Sequence, residues 1–355
     1  MTPIRIGGIG CGGMAAGVHF PAIQRIPELK LTALCDIDEA RLTETADRFR
    51  IADTFTDFEA LLDSGKVDAV SIIGPPSLHV MAGRACLIRQ MPFMTEKPLA
   101  LTVAEARELV DLAGRYGDCG QVGFTNRFAP AQRLAWRISR LPDFGPLCSV
   151  ATTHLTHCRM HPYWDFEDGV EGFIHLHGVH AIDLWRFFGG DPVRVTASLA
   201  GMHPLGPPGH AYGSILVYVQ TGDGPHGTIQ MKASASHNGD VNADIMGERA
   251  RVRVENDQCL TYERGLDWVR QTMGDDVLAD TFLTDQPAGQ FLGTGNIMHS
   301  YWDFFRYEWM AFARHLLAGK PFSPSMHDGY RTVCLTEAIC ASLRAGGAPV
   351  PVCYE

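Results

Sequence analysis

The sequence predicts an α/β protein: an N-terminal doubly wound parallel sheet, then a second domain of α+β type with a large, mostly antiparallel open sheet. Three observations carry this. Up to residue 125, short apolar runs alternate with longer amphipathic ones, the pattern of right-handed βαβ crossovers. Past that point strand-like runs predominate and largely follow one another. The first apolar run also ends in a cluster of glycines, as a buried first strand does when it turns sharply into a helix. The domains are therefore expected at 1–125 and 126–355.

In the first domain, Ile4 to Ile9 reads as a buried strand and Ala15 to Ile26 as a helix interrupted near Pro21. Leu29 to Leu34 is a second strand, and Asp38 caps a helix running to Phe49. The apolar strand Val67 to Ile73 is closed by Gly74-Pro75-Pro76. Helix Leu78 to Arg89, strand Pro92 to Thr95, helix Val103 to Tyr116 and strand Gly120 to Phe124 complete the series. In the second domain a helical stretch, Ala129 to Leu141, precedes strands at Leu147 to Leu155, Val193 to Leu199, Ser214 to Gln220, Gly227 to Ser234 and Arg249 to Val254. Helices are expected at Val179 to Phe188, Trp302 to Leu317 and Asp328 to Leu343. Thr228 to Ala233 alternates polar and apolar, so one sheet face is expected to be wet and open to a ligand or partner.

Composition narrows the function. With 46% hydrophobic and 20% charged residues the chain can bury a core and is not a disordered one. A net charge of −10 argues against a general nucleic-acid binder, whose affinity comes from cations on phosphate. The longest uncharged tract, Val195 to Gly222, holds Pro204, Pro207 and Pro208, so no membrane helix is expected. The ten cysteines are scattered without a C-x-x-C pair, and Met1 leads straight into the first strand with no apolar leader. A cytoplasmic protein with reduced thiols is the expectation.

The chemistry begins at Gly8-Ile9-Gly10-Cys11-Gly12-Gly13, a G-x-G-x-x-G between strand and helix. In that order Gly8 permits the turn, Gly10 lets the backbone approach a pyrophosphate and Gly13 allows helix and strand to pack closely. The helix N-terminus then offers N–H groups to the phosphates. This is the pattern of a Rossmann dinucleotide site. Asp36 ends the second strand where a carboxylate would accept hydrogen bonds from the adenosine ribose; the alternative is that it merely caps the next helix. Asp36 and Asp38 would repel a 2′-phosphate and Ile37 supplies no cation, so NAD is expected rather than NADP.

Further blocks resemble one family, the glucose–fructose oxidoreductase, inositol dehydrogenase and rhizopine-catabolism oxidoreductases (Gfo/Idh/MocA). They are Gly74-Pro75-Pro76-Ser77-Leu78-His79, the E-K-P stretch Thr95 to Ala100, Gly123 to Phe128, the G-x-H-x-x-D stretch Gly178 to Asp183, and the closing stretch Ser325 to Val352. The resemblance spans nearly the whole chain. It implies a cofactor site that includes Gly8, Ile9, Gly10, Cys11, Gly12, Gly13, Met14, Asp36, Ile37, Pro75, Pro76, His79, Glu96, Lys97, Pro98 and Arg127. It also implies that Lys97 lies beside the nicotinamide and substrate hydroxyl, that His180 faces them, and that the Lys97–Pro98 bond is cis. Catalytic roles for Lys97 and His180 fit the chemistry. A neutral imidazole suits removal of a hydroxyl proton near pH 7, and an ammonium steadies the alkoxide as hydride leaves.

One position departs from the family. The aspartate usually found four residues before the histidine is Leu176, and His177 or Asp183 is a candidate replacement. Six of the fifteen histidines fall between His154 and His180. His175 and His177 would share a face if extended, with Asp165 and Asp168 as possible oxygen ligands to a metal. A polar sugar pocket is the preferred reading, with no metal. Its members are expected to be Lys97, His157, Trp164, His177, His180 and Asp183. Aromatics at Phe305, Trp309 and Phe312 have core or subunit-contact spacing.

The leading expectation is an NAD-dependent oxidoreductase acting on a secondary hydroxyl of a sugar, sugar derivative or cyclitol. The alternative is a glycoside-cleaving enzyme that oxidises C3 transiently, eliminates the aglycone and recycles its NAD. A non-catalytic NAD-binding regulator is disfavoured by Lys97 and His180. A homodimer or homotetramer is expected through the second domain's sheet, with no nucleic-acid or membrane partner.

Overall fold

The structure, a computed structural model, describes residues 2–355 except 165, 205, 207, 209, 235–238, 258 and 265–300. The described residues fall into two compact units, Met1–Thr125 with Ser300–Val333, and Asn126–His299 with Cys334–Glu355.

The first unit carries six parallel strands: β1 (Ile4–Ile9), β2 (Leu29–Cys35), β3 (Asp53–Phe55), β4 (Ala69–Ile72), β5 (Phe93–Glu96) and β6 (Gly120–Gly123). Their order is β3-β2-β1-β4-β5-β6, so the winding reverses between β1 and β4. In such sheets a ligand crevice opens at the carboxyl ends of the strands flanking this reversal. β4, β5 and β6 are buried throughout, which explains why they hold apolar or small residues apart from Glu96 and Gln121. The helices are α1 (Phe20–Gln24), α2 (Glu39–Phe49), α3 (Phe58–Asp63), α4 (Pro76–Arg89) and α5 (Val103–Tyr116). Asp38 caps α2 by accepting from the Arg41 N–H, and Thr102 with Glu105 forms a capping box on α5.

The expected break at Pro21 is absent. A π turn, Ala15–His19, runs directly into α1. A π turn leaves one carbonyl without its α-helical donor, and Pro21, which has no N–H to give, sits where the register changes.

The second unit holds α6 (Pro130–Ile138), β7 (Leu147–Thr156), α7 (Gly169–Phe173), α8 (Val179–Gly189), β8 (Arg194–Pro204), β9 (Ala211–Gln220), β10 (His226–Ala233), β11 (Asp240–Gly247), β12 (Ala250–Glu255) and β13 (Cys259–Arg264). With β14 (Val350–Pro351) they form a sheet ordered β13-β12-β11-β7-β10-β9-β8-β14. Only the β7/β10 pair is parallel among its described pairings. Ile229, Met231, Val217 and Ile245 point to the covered face. α8 lies on that face: the Trp185 indole donates to the Val150 carbonyl at 2.9 Å, and the Thr152 hydroxyl donates to the Ala181 carbonyl at 2.9 Å. On the opposite face Leu216, Tyr218 and Met246 are more than two-fifths exposed.

Residues 169–189 correct one expectation. α7 continues through a π turn, Ile174–Gly178, into α8, so His175 and His177 are not on an extended segment and do not share a face.

Two helices close the chain, α9 (Tyr301–Ala318) and α10 (Met326–Arg344). α9 follows the second domain's strands in sequence but packs on the first unit. Phe305, Trp309 and Phe312 join one buried cluster with Ile4, Phe20, Leu31 and Met94. The aromatic stripe is core, at the helical spacing that favours it.

Candidate active site

The glycine loop follows β1. Gly10 has φ +91°, and a Cβ there would lie 2.0 Å from the Ile73 carbonyl oxygen, so no other residue fits. The close packing expected of Gly13 belongs instead to Gly8, where a Cβ would meet the Phe20 ring at 2.6 Å. Gly12 and Gly13 face open space. Their amides are thus approachable at the start of a helix, the room a pyrophosphate needs.

Asp36 is buried at the end of β2 and tied to this loop. Its Oδ2 accepts from the Cys11 N–H at 2.8 Å, and its Oδ1 accepts from the Asp38 N–H at 2.9 Å. A carboxylate has about four acceptor positions, so two amides leave room for ribose hydroxyls. Ile37 is 91% exposed. One cation escaped the sequence reading: the Arg41 guanidinium is 3.5 Å from Asp36 and bonds Asp38 at 2.8 Å. The signal was its spacing, three residues past Asp38 on a helix.

The E-K-P stretch leaves the end of β5, and the Lys97–Pro98 bond is cis. Glu96 is buried beneath it. Its Oε1 bonds His19 Nε2 at 3.0 Å and its Oε2 accepts from the Lys97 N–H at 3.0 Å. The Trp309 indole, which can only donate, bonds His19 Nδ1 at 3.2 Å. The proton on His19 is therefore on Nε2, pointed at Glu96. Burial pushes the Glu96 carboxyl up. The His19 hydrogen bond, with the Lys97 charge, outweighs that and holds it below the ordinary range. On the other side of the turn His79 Nδ1 donates to the Pro98 carbonyl at 2.8 Å. Burial first of all lowers the His79 pKa, which keeps the ring neutral. Lys97 is thus presented by a turn held from both sides.

Glu308 on α9 was also missed. It is fully buried, and neither carboxyl oxygen has a hydrogen-bond partner among the described residues. Burial, then the Glu96 charge, drives its pKa far up, so it is a neutral acid. The signal was a glutamate within the stripe Phe304, Phe305, Trp309, Phe312.

In the second unit, His180 begins α8, half-buried, its ring edge-on to His154 with centroids 5.2 Å apart. His154 Nδ1 donates to the His177 carbonyl at 2.7 Å. Leu176 is buried in the π turn. Asp183 forms a two-pronged buried pair with Arg127, at 2.7 and 2.6 Å, and Arg127 also lies over the Phe187 ring. The structure thus brings the His154 and His180 rings together, sets the His177 ring against Phe173 and seats Arg127 on Asp183. Burial lowers the His175 pKa to about 4, and its ring stacks on Phe166. Asp168 caps α7 through the Val170 and Glu171 N–H groups, and Asp165 lies outside the described residues. Among the described residues no three His, Cys, Asp or Glu side chains gather as metal ligands. His157 is exposed; Trp164 is 47% exposed, with φ +45° and its ring edge-on to Tyr163.

These features define a dinucleotide-binding oxidoreductase with a lysine-bearing turn at its sheet's carboxyl edge. Residues 4–124 match the model of the Gfo/Idh/MocA oxidoreductase family with an NAD-binding Rossmann fold, and residues 143–253 match the Gfo/Idh/MocA C-terminal domain. The chain belongs to this family and is an NAD-dependent oxidoreductase. It is 28% identical over 352 residues to an inositol 2-dehydrogenase of Rubrobacter xylanophilus, covering 97% of this chain and 92% of that one. It is 32% identical over 210 residues to the D-glucoside 3-dehydrogenase of Escherichia coli, covering 58% of this chain and 59% of that one. The fold is also that of a levoglucosan dehydrogenase solved with NADH and L-sorbose, at TM-score 0.81, 21% identity and full coverage of both chains. Among the described residues no helix is long and apolar enough to cross a membrane.

Proposed function

We propose that the protein oxidises a secondary hydroxyl of a sugar, sugar derivative or cyclitol, with Lys97 and His180 as its catalytic residues. The observation that carries this is the Lys97 turn, fixed through Glu96 and His19 on one side and Pro98 and His79 on the other. Such fixing suits a group that must meet a developing alkoxide. The relatives' names, inositol 2-dehydrogenase and D-glucoside 3-dehydrogenase, support the substrate class.

NAD, when bound, accepts the hydride. The Gly10–Gly13 backbone holds its pyrophosphate with Ile9, Cys11 and Met14, and Asp36 with Ile37 flanks its adenosine ribose. Pro75, Pro76, His79, Glu96 and Pro98 shape the approach to Lys97. The Lys97 ammonium stabilises the substrate oxygen as its negative charge grows, and His180 takes the hydroxyl proton. His177, Asp183, Arg127, His157 and Trp164 are assigned to substrate or cofactor contact. The exposed apolar residues Leu216, Tyr218 and Met246 support a second copy of the chain as partner, in a dimer or tetramer. Nine of the ten cysteines, all but Cys259, are free thiols, in keeping with the cytoplasm.

Absorbance of NADH on incubation with NAD and a panel of free sugars and cyclitols tests the reading. NADH accumulation with at least one free polyol is the expected result. Cleavage of glycosides without net NADH would overturn it in favour of transient oxidation and elimination.

A further inference from the structure

Arg41 stands one turn into α2 and reaches back over the end of β2. Its guanidinium is 3.5 Å from Asp36 Oδ2 and 2.8 Å from Asp38 Oδ2. The three side chains are unlike in exposure: Asp36 is 5% exposed, Asp38 43% and Arg41 48%. The cation that Ile37 fails to supply is therefore present, but two aspartates neutralise it. A phosphate on the ribose 2′-oxygen beside Asp36 would come within reach of this guanidinium.

We propose that Arg41 is a latent 2′-phosphate ligand, and that the Asp36–Arg41–Asp38 cluster as a whole sets the choice of NAD over NADP. The inference rests on the assignment of Asp36 to the adenosine ribose. Asp36 does two things: it occupies the ribose hydroxyls and repels a 2′-phosphate, and with Asp38 it holds the guanidinium. The cluster carries a net charge of −1, against a phosphate of roughly −2. Without the Asp36 charge the cluster is neutral, and the remaining Arg41–Asp38 pair is exposed and easily exchanged. Arginine can then give the phosphate two parallel hydrogen bonds.

The test is a calorimetric titration of the full-length protein with NAD, NADP, AMP and adenosine 2′,5′-bisphosphate, the last two isolating the adenosine half. Asp36→Ser should raise the NADP-to-NAD affinity ratio about tenfold or more, the worth of one charge-assisted contact. The gain should shrink as salt rises, because Arg41 and Asp38 are exposed. Adding Arg41→Ala should abolish it. Asp38→Asn, which keeps a capping side chain, should give a smaller rise that Arg41→Ala again removes. That pair decides the matter if Asp36→Ser does not fold. Bisphosphate binding as tight in Asp36→Ser/Arg41→Ala as in Asp36→Ser would overturn the role of Arg41. A wild-type protein that binds NADP more tightly than NAD, or an Asp36→Ser variant with both affinities unchanged, would instead remove the ribose assignment and the inference with it.

Discussion

The indole N–H of Trp309 donates to Nδ1 of His19, and that one bond decides which nitrogen of the imidazole faces Glu96. A residue on α9 thus sets the tautomer of a histidine 290 positions earlier, and through it the carboxylate beneath Lys97. Trp309→Phe keeps an aromatic ring but removes the donor, leaving a buried imidazole nitrogen unpaired. We expect a loss of about 1–3 kcal/mol, read as a lower urea midpoint at unchanged slope. A midpoint equal to that of the wild type would show that the bond contributes nothing.

Asp257 gives a prediction in pH. It is buried, bonded by the Gln132 amide at 2.6 Å, and burial raises its pKa to about 8. Unfolded, it ionises near pH ~4. Because the folded state holds the proton more tightly, this group's contribution is complete below pH ~4 and is lost as pH rises to about 8. Asp257→Asn keeps the oxygen that Gln132 bonds, and asparagine tolerates the backbone φ of +53°. The variant's stability relative to wild type should therefore climb across that interval and level off above it. Parallel stability curves from pH 4.5 to 9 would count against a buried protonated acid.

His180→Ala should lower turnover about 10²–10⁴-fold, the usual weight of a general base, with a much smaller effect on NAD affinity. Lys97→Ala should lower turnover too and also disturb cofactor binding, since Lys97 belongs to the dinucleotide unit. Stopped-flow hydride transfer beside an NAD titration separates the two. Near-normal turnover in His180→Ala would shift the proton-accepting role elsewhere.

Leu216→Lys places a charge on the open sheet face, where Leu216 is 46% exposed. If a second copy covers that face, light scattering at micromolar concentration should give a multiple of 38.9 kDa for the wild type and a smaller mass for the variant. A wild-type mass of 38.9 kDa would remove the reason for the substitution.

Much of the fold was readable because its strands are either buried on both sides or alternate cleanly, and its helices carry caps such as Asp38 and Thr102. What escaped has physical causes. β3 is three residues long, too short for any period to register. β11 puts Asp240, Asn242 and Asp244 on its wetter face, residues rare in strands, although Val241, Ala243 and Ile245 alternate beneath them. Residues 169–178 contain Gly169, Gly172 and Gly178 and carry no clear helical period, yet fold as α7 and a π turn. The Lys97 turn came from the family resemblance, whereas the glycine loop and Asp36 could be read because a dinucleotide turn demands those residues. Arg41 and Glu308 could not, because their roles depend on what the fold sets beside them.

The π turn at Ala15–His19 carries a consequence in chain counting. A helix of the same length in regular α register would point each later side chain about 100° further round the axis. His19 would then turn away from Glu96, and the Phe20 ring would leave its place over Gly8. The aim of an imidazole at a carboxylate is in this way encoded by the number of residues between Gly13 and Phe20 rather than by their identity. A one-residue deletion at exposed Gly17 would let the turn close in α register with His19 and Phe20 still aimed as they are, whereas an α-register turn of unchanged length would misdirect everything after it.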